Sequence, residues 1–342
     1  MEGSSVFKIE ETTINEIHQA FAQGKLTSRK LLDFYRQQIE ILNPLLRGVI
    51  EINPEAQHVA DEADPNRGNS NNDGSVLGGL HGIPNPYCPP GSPCGSSSGC
   101  AISVAANMAA VSLGTETHCS IICPADHNSV VGLKPTVGLT SRAGIITMMP
   151  LPDTVGRIEV TMGAAKYIPE GGYKQFLKEN GLQRKRIGIV RHPFIEMIHR
   201  AIEKTAFEHH LDLLRQQGAI LVDNLSIPHI EEIMDSNLRG EALVMMAEFK
   251  SSINDYLKEL ITSPVRSLAD IIAFNERNSD LEKLAEYDQH TFIEAEKADR
   301  YGKKEKKVVE KLKNFSRNGF EKMMDHELGA LSCLVHVPLL FL

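Results

Sequence analysis

The sequence predicts an α/β fold with many flanking helices. A short apolar run, a long amphipathic run and a second apolar run alternate between Lys185 and Val222, which is typical of a strand, a helix and a strand. Apolar residues recur at helical spacing before Asp64 and again beyond Ile227. Residues 80–144 between them are rich in glycine, serine, threonine, proline and small apolar residues. Such composition favours loops that bring the backbone close to a ligand.

The N-terminal region, residues 1–79, is predicted to be helical. Thr13 and Glu16 have the spacing of a capping box, in which each residue accepts a hydrogen bond from the backbone of the other. Asn43-Pro44 is expected to end the second helix, because proline lacks the backbone donor that a helix interior uses. Three helices are predicted: from Thr13 to Gly24, from Thr27 to Asn43, and from Pro54 to Asp64.

The remainder, residues 80–342, is predicted to form the α/β core, with a helical region at about 228–325. The Ala101–Ser112 run is apolar and alanine-rich, which favours a buried helix. The elements predicted after it are strands at Arg186–Val190 and Ala219–Val222 and helices at Met197–Gln217, Ile230–Leu260, Ser267–Asn275 and Leu281–Leu312.

Composition and charge exclude several classes of protein. A hydrophobic content of 42% and a charged content of 23% are those of a globular chain. The net charge of −8 argues against a nucleic-acid surface, and the basic run Lys303–Lys307 is expected to be a solvated helix face. The longest apolar stretch, Leu331–Leu342, is shorter than the roughly 20 residues that span a bilayer.

Six cysteines in 342 residues are too few for a disulfide scaffold. The N-terminus lacks an apolar run of signal-peptide length. We therefore expect a soluble protein in the reducing cytoplasm that does not associate with membranes, while the oligomeric state stays open.

Two segments carry residues suited to nucleophilic chemistry. The first is the Gly/Ser-rich stretch Gly91–Gly99, and the second is Gly114–Ala125. Their serines Ser96 and Ser120 lie 24 residues apart. A serine hydroxyl attacks a carbonyl efficiently only when a base withdraws its proton.

These segments resemble the amidase-signature family. Gly91–Gly99 is similar to that family's Gly-Gly-Ser-Ser-Gly-Gly loop, and Gly114–Ala125 to its Gly-Thr-(Glu/Asp)-Thr-Asp-Gly-Ser element. The continuation Val131–Gly144 also fits the family pattern. The resemblance implies a mixed central β-sheet flanked by many α-helices, and hydrolysis of a carbon–nitrogen bond in a small-molecule amide without metal or other cofactor.

The resemblance also implies a role for each residue of the two segments. Ser120 would form the acyl-enzyme, and Ser96, preceded by a cis peptide bond, would relay its proton to a lysine. Backbone N–H groups of Thr117, His118, Cys119 and Ser120 would bind the oxyanion. Gly95, Ser97, Ser98 and Gly99 would complete the glycine/serine loop.

The chain departs from the family pattern where that lysine should be. Family members carry it soon after His-Gly-Ile-Pro, whereas here Pro84 is followed directly by Asn85. Gly156-Arg157 replaces an expected Gly-Pro, and the chain stops at Leu342 where further core strands would follow. These three departures from the family pattern predict a family member that is truncated and carries internal deletions.

Two substitutions beside Ser120 add to these departures. His118 and Cys119 stand where the family has Asp and Gly. The sequence thus predicts an amidase whose activity is impaired. The alternative is a non-catalytic truncated isoform or fragment that acts at most as a binding module.

Two rival interpretations of the same residues have less support. Gly95–Gly99 matches Gly-x-Ser-x-Gly with Ser97 as nucleophile and Asp325-His326 as partners, but no apolar strand precedes it. A metal site would use His118, Cys119, Cys123 and His127, with Cys88, Cys94 and Cys100 as further candidates. Because the chain has no Cys-x-x-Cys pair, we expect no metal and interpret the cysteines as small buried thiols.

Overall fold

The computed structural model describes residues 7–64, 91–150, 152–155, 168–170, 172–198, 200–235, 240–298, 301–324, 328 and 330–333. The chain forms two compact units, one of Met1–Ser141 with Thr154–Glu159 and one of Arg142–Asp153 with Val160–Leu342. The boundary predicted at residues 79 and 80 lies outside the described residues and stays a prediction. The joints at Pro84-Asn85 and Gly156-Arg157, the candidates Cys88 and Asp325-His326, and the end of the apolar tail also lie outside them.

The first unit holds five helices and a short two-stranded antiparallel sheet among its described residues. The predicted capping box is present, because Thr13 N–H donates to Glu16 and Glu16 N–H donates to the Thr13 hydroxyl. The elements are α1 (Ile14–Ala22), α2 (Ser28–Leu46), α3 (Ala56–Ala63), α4 (Ser98–Ala105), β1 (Thr115–Glu116), α5 (Ile122–His127) and β2 (Thr154–Val155).

The prediction that α2 ends at Asn43-Pro44 is wrong. The helix continues through Pro44 to Leu46 and ends at Arg47, which is left-handed with φ of 50°. Arg47 N–H donates to the Asn43 carbonyl over 2.7 Å, and the Asn43 side chain bonds both backbone groups of Val49 at 2.8 and 2.9 Å. These bonds fix the last turn, where a proline removes only one helical donor.

The predicted helix Ala101–Ser112 is also corrected, because α4 begins three residues earlier and ends at Ala105. Asn107 is left-handed with φ of 53°, and Met108 and Ala109 donate back to the Ser103 carbonyl at 2.8 and 3.1 Å. This closes the helix as left-handed caps do. The apolar run is still buried, since Ile102 and Met108 pack with Leu46 and Val49.

The second unit confirms the α/β class. The strands β3 (Arg186–Val190), β4 (Ile220–Leu225) and β5 (Ala330–Cys333) form a parallel sheet in the order β4-β3-β5. Helix α6 (Ala201–Gln216) connects β3 to β4, as parallel pairing requires. The Ile187 and Ile189 side chains pack against Phe207 and Leu211 of α6.

Among the described residues between Ile230 and Met324, the second unit is mainly helical. The single helices predicted at Ile230–Leu260 and Leu281–Leu312 are wrong, because each is divided. Asp288 has φ of 45° and Ala298 is extended, and neither conformation continues a helix. The helices are α7 (Ile230–Met234), α8 (Glu241–Glu259), α9 (Leu268–Arg277), α10 (Leu284–Tyr287), α11 (His290–Lys297), α12 (Lys303–Ser316) and α13 (Lys322–Met324).

The basic run lies in the first turns of α12, with its lysines exposed as predicted for a solvated face. Glu305 within it is buried and accepts the Gly302 N–H at 2.7 Å. In the part of the chain that the structure describes, no helix is both long and apolar enough to cross a membrane.

The Arg191 side chain connects the parallel sheet to α6. The Arg191 side chain donates to both Asp223 carboxylate oxygens, at 2.7 and 2.9 Å, and also pairs with Glu208. The hydrogen bonds from Arg191 hold the pKa of Asp223 below its ordinary value, and Asp223 in turn raises the pKa of Arg191.

Replacement of Asp223 by Asn is expected to destabilise the protein by about 1 kcal/mol at neutral pH, because the pair is partly exposed. The pKa of Asp223 is lower in the folded protein than in the unfolded chain, where it is about 3.9. The pair therefore contributes its full stabilisation above a pH of about 3.9, and that stabilisation is lost as the pH falls through the folded pKa of Asp223. Urea unfolding of the wild type and of Asp223→Asn between pH 3 and 7 measures the difference in their free energies of unfolding. In the control Asp212→Asn, an exposed pair with Arg215 is broken, and a loss of the same size there would contradict the prediction.

Candidate active site

The two serine-bearing segments meet through the backbone. Ser97 N–H donates to the Ser120 carbonyl at 3.0 Å, which joins the residue after Ser96 to the candidate nucleophile. The Gly95–Ser96 peptide bond is cis, as the family resemblance implies. Ser96 is exposed and Ser120 is half-buried. Both serines are therefore open to a ligand from solvent.

The Ser97 side chain has a structural role. Its buried hydroxyl donates to the Thr115 carbonyl at 3.1 Å and accepts the Thr115 N–H at 3.2 Å. A Cβ on Gly114 would lie 2.8 Å from that hydroxyl, so only glycine permits the contact. The rival interpretation with Ser97 as nucleophile loses support, because both functions of its hydroxyl are already used to hold β1.

Glu116 positions the segment that contains Ser120. This buried carboxylate accepts the N–H groups of Ile121 and Ile122 at 2.7 and 3.0 Å, at the start of α5. The first N–H groups of a helix lack helical partners, and a negative charge there is favourable. Sequence reasoning missed this role. No helix was predicted from the sequence at Ile122–His127, so Glu116 was given no helix start to cap.

The backbone donors proposed for the oxyanion lie in this same turn. Among the described residues, the N–H groups of Thr117, Cys119 and Ser120 donate no backbone hydrogen bond. The Ser120 hydroxyl donates to the carbonyl of His118 at 3.2 Å. Cys119 has φ of 47°, in the left-handed region that favours glycine. A glycine, as the family has at this position, adopts this left-handed backbone without strain. Cys119 adopts the same backbone with a side chain and is therefore strained.

Replacement of Cys119 by Gly is expected to stabilise the protein by about 1 kcal/mol. A left-handed non-glycine residue costs about 1–2 kcal/mol, and the greater freedom of glycine in the unfolded chain offsets part of that gain. The matched control is Cys100→Gly inside α4, where glycine should destabilise. Thermal unfolding of the three proteins tests the difference in sign, and a lower midpoint for Cys119→Gly would contradict the argument.

Cys94 and Cys123 form a disulfide with their Cα atoms 5.9 Å apart. The prediction of small buried thiols is therefore wrong for this pair, which sequence spacing could not reveal because 29 residues separate its members. Cys100 is a free thiol that is only half-buried; burial raises its pKa, and its sulfur donates to the Leu113 carbonyl at 3.2 Å. Of the candidate metal ligands, the structure brings together Cys94, Cys123 and His127, with ligand atoms within 4.8 Å of one another.

Asn128 also connects the glycine/serine loop to α5 through its side chain, a role that was not predicted from the sequence. It is fully buried, and its side-chain amide donates to the carbonyls of Pro93 and Pro124 at 3.0 and 2.7 Å. Pro93 precedes Cys94, and Pro124 follows Cys123. Asn128 therefore fixes the glycine/serine loop to α5 beside the disulfide.

A cavity of about 340 Å³ lies behind the glycine/serine loop. Its lining is mainly apolar and includes Val104, Ile121 and Leu133, but neither Ser96 nor Ser120. Val131 and Leu133 expose 100% and 75% of their surface, although both are apolar. Large exposed apolar side chains beside a cavity are unusual for a complete core.

Known proteins are similar to this chain in sequence and in fold. The family model described as Amidase matches residues 83–333. The chain belongs to the amidase family. Amidases of this family hydrolyse the carbon–nitrogen bonds of amides.

The amidase relatives include a probable amidase of Arabidopsis thaliana, 39% identical over 426 residues, which cover 97% of this chain and 81% of the relative. That alignment is longer than the chain's 342 residues, so the plant protein has segments without a counterpart here. A putative amidase of Schizosaccharomyces pombe is 28% identical over 376 residues, which cover 79% of this chain and 63% of the yeast protein.

Solved amidase structures share the fold. Peptide amidase from Stenotrophomonas maltophilia superposes with a TM-score of 0.80 at 28% identity, over 94% of this chain and 83% of its own. An amidase family protein from Bacillus anthracis gives a TM-score of 0.80 at 25% identity, over 96% of this chain and 82% of its own.

Proposed function

We propose that this chain retains the serine half of an amidase active site and hydrolyses small-molecule amides weakly. The observation that carries the proposal is the hydrogen bond from Ser97 N–H to the Ser120 carbonyl, which holds the loop with Ser96 against the nucleophile segment. In this scheme Ser120 Oγ attacks the amide carbonyl, and the N–H groups of Thr117, His118 and Cys119 stabilise the developing negative charge. The amine leaves, and water then releases the acyl group from Ser120.

The weak step is removal of the Ser120 proton. Ser96 would relay it to a lysine, and a serine without a base is a poor nucleophile at neutral pH. We infer that the lysine-bearing strand is among the segments that the Arabidopsis relative has and this chain lacks. The exposed Val131 and Leu133, beside an apolar cavity, support the loss of a covering segment.

The second candidate function is a non-catalytic binding module. It is favoured by Cys119, whose left-handed backbone and side chain lie within the turn that supplies the oxyanion donors. A displaced donor typically costs about 10²–10³ in rate. With the lysine also absent, the site would bind an amide without turning it over. Because the net charge is −8, we do not propose nucleic acid as a partner for either function.

A fluorophosphonate probe distinguishes the two functions. The amidase proposal predicts slow labelling, mapped by mass spectrometry to Ser120 and abolished in Ser120→Ala. The matched control Ser251→Ala removes an exposed hydroxyl on α8 and should leave labelling unchanged. A sample that unfolds cooperatively but takes up no probe would leave the binding module as the function.

A further inference from the structure

The disulfide between Cys94 and Cys123 links the two segments that carry the candidate catalytic serines. Cys94 precedes Ser96 by two residues, and Cys123 follows Ser120 by three. The cross-link therefore joins the glycine/serine loop to the first turn of α5. Any change in the state of this bond acts on the relative position of the two serine segments.

The pair is accessible to thiol chemistry. Both cysteines are half-buried, whereas His127 beside them is exposed. His127 lies within 4.8 Å of the sulfurs, and its Nδ1 is 3.0 Å from the Ser92 carbonyl, which fixes the ring next to the bridge.

The other described thiols are poorer exchange partners. Burial raises the pKa of Cys100, and burial together with Glu116 raises the pKa of Cys119. The thiolate is the reactive form, so a higher pKa slows exchange. Among the cysteines whose side chains the structure describes, Cys94 and Cys123 are the two that form a bridge open to attack by an external thiol.

We propose that Cys94 and Cys123 form a reversible redox centre that exchanges with low-molecular-weight thiols and disulfides and sets how firmly the glycine/serine loop is held to α5. In reduction, the thiolate of one glutathione attacks a sulfur of the bridge and forms a mixed disulfide, and the other cysteine leaves as a thiolate. A second glutathione attacks the mixed disulfide and releases the first cysteine. The net change is two protein thiols and one oxidised glutathione, and oxidation is the reverse.

The two states differ in the freedom of the loop. In the oxidised state the bridge, the Asn128 side chain and the Ser97 backbone bond all connect the loop to the Ser120 segment. Reduction removes the covalent connection and leaves the hydrogen bonds. The reduced loop stays near Ser120 but opens more often, because a cross-link limits the unfolded and partly open states.

The test equilibrates the full chain in graded ratios of reduced to oxidised glutathione and counts alkylated cysteines by mass spectrometry. We expect Cys94 and Cys123 to become alkylated together across one transition. The reduced form should unfold several degrees lower and exchange backbone hydrogens faster at residues 92–98. Cys123→Ser should abolish both the transition and its thermal shift, whereas the matched control Cys100→Ser should keep them.

Three results would overturn the proposal. The pair could stay reduced at every ratio, or both states could show the same unfolding temperature and the same exchange at residues 92–98. Alternatively, the reduced chain could retain one zinc ion that protects Cys94 and Cys123 from alkylation and is lost in His127→Ala, which would make the cluster a metal site. These readouts are independent of amide hydrolysis, so they separate this inference from the proposed function.

Discussion

A chimera that carries the family's lysine-bearing segment between Pro84 and Asn85 is expected to hydrolyse a simple amide about 10²–10⁴-fold faster than the present chain. General base catalysis by a positioned side chain contributes a factor of this size. The serine half is already assembled, because the Ser97 N–H holds the Ser120 carbonyl and Glu116 holds the start of α5. The rate of ammonia release from a primary amide measures the effect.

The same chimera with methionine in place of the inserted lysine is the matched control. It restores the volume and packing of the segment but not the base, so it should improve stability without raising the rate. Equal rates for the two chimeras would show that the base is not what limits this chain. A folded lysine chimera with no gain would point instead to Cys119 and the oxyanion donors.

Replacement of Ile189 by Ala is expected to destabilise the second unit by about 2–5 kcal/mol. Ile189 is 0% exposed in the middle of β3 and packs in the cluster with Phe207 and Leu211, so its removal leaves a cavity. Urea unfolding followed by circular dichroism measures the loss.

Ile202→Ala is the matched control, because Ile202 on α6 is 71% exposed. The same deletion there should change the free energy of unfolding by no more than about 0.5 kcal/mol. Comparable losses at the two positions would mean that β3 does not lie in the core of this unit.

Local patterns predicted the parts of the fold that depend on neighbouring residues. The Thr13 and Glu16 capping box and the bounds of β3 could be read directly, since a cap and a buried strand are encoded over a few positions. The prediction at Pro44 was wrong because Arg47 and Asn43 supply bonds that outweigh one missing donor. These bonds are local, and a rule that considers the proline alone does not take them into account.

The candidate site also has a part that the sequence predicted and a part that it did not. The serine segments could be found from their motifs, and the site roles of Ser96 and Ser120 stay predictions. The contacts of Glu116 and Asn128 and the bridge from Cys94 to Cys123 could not be predicted, because each depends on which segments meet in space. A cysteine 29 positions from another carries no pairing information by itself.

Apart from the pairing of β1 with β2, the bonds that build the serine segments lie within one stretch of chain, from the Ser92 carbonyl to the Asn128 amide. Contacts of such low sequence separation need little loop closure to form. The shape of the serine segments therefore depends mainly on these residues, and a segment lost elsewhere in the chain need not change it. Resemblance at the serine motifs measures ancestry, and turnover has to be measured separately for each descendant.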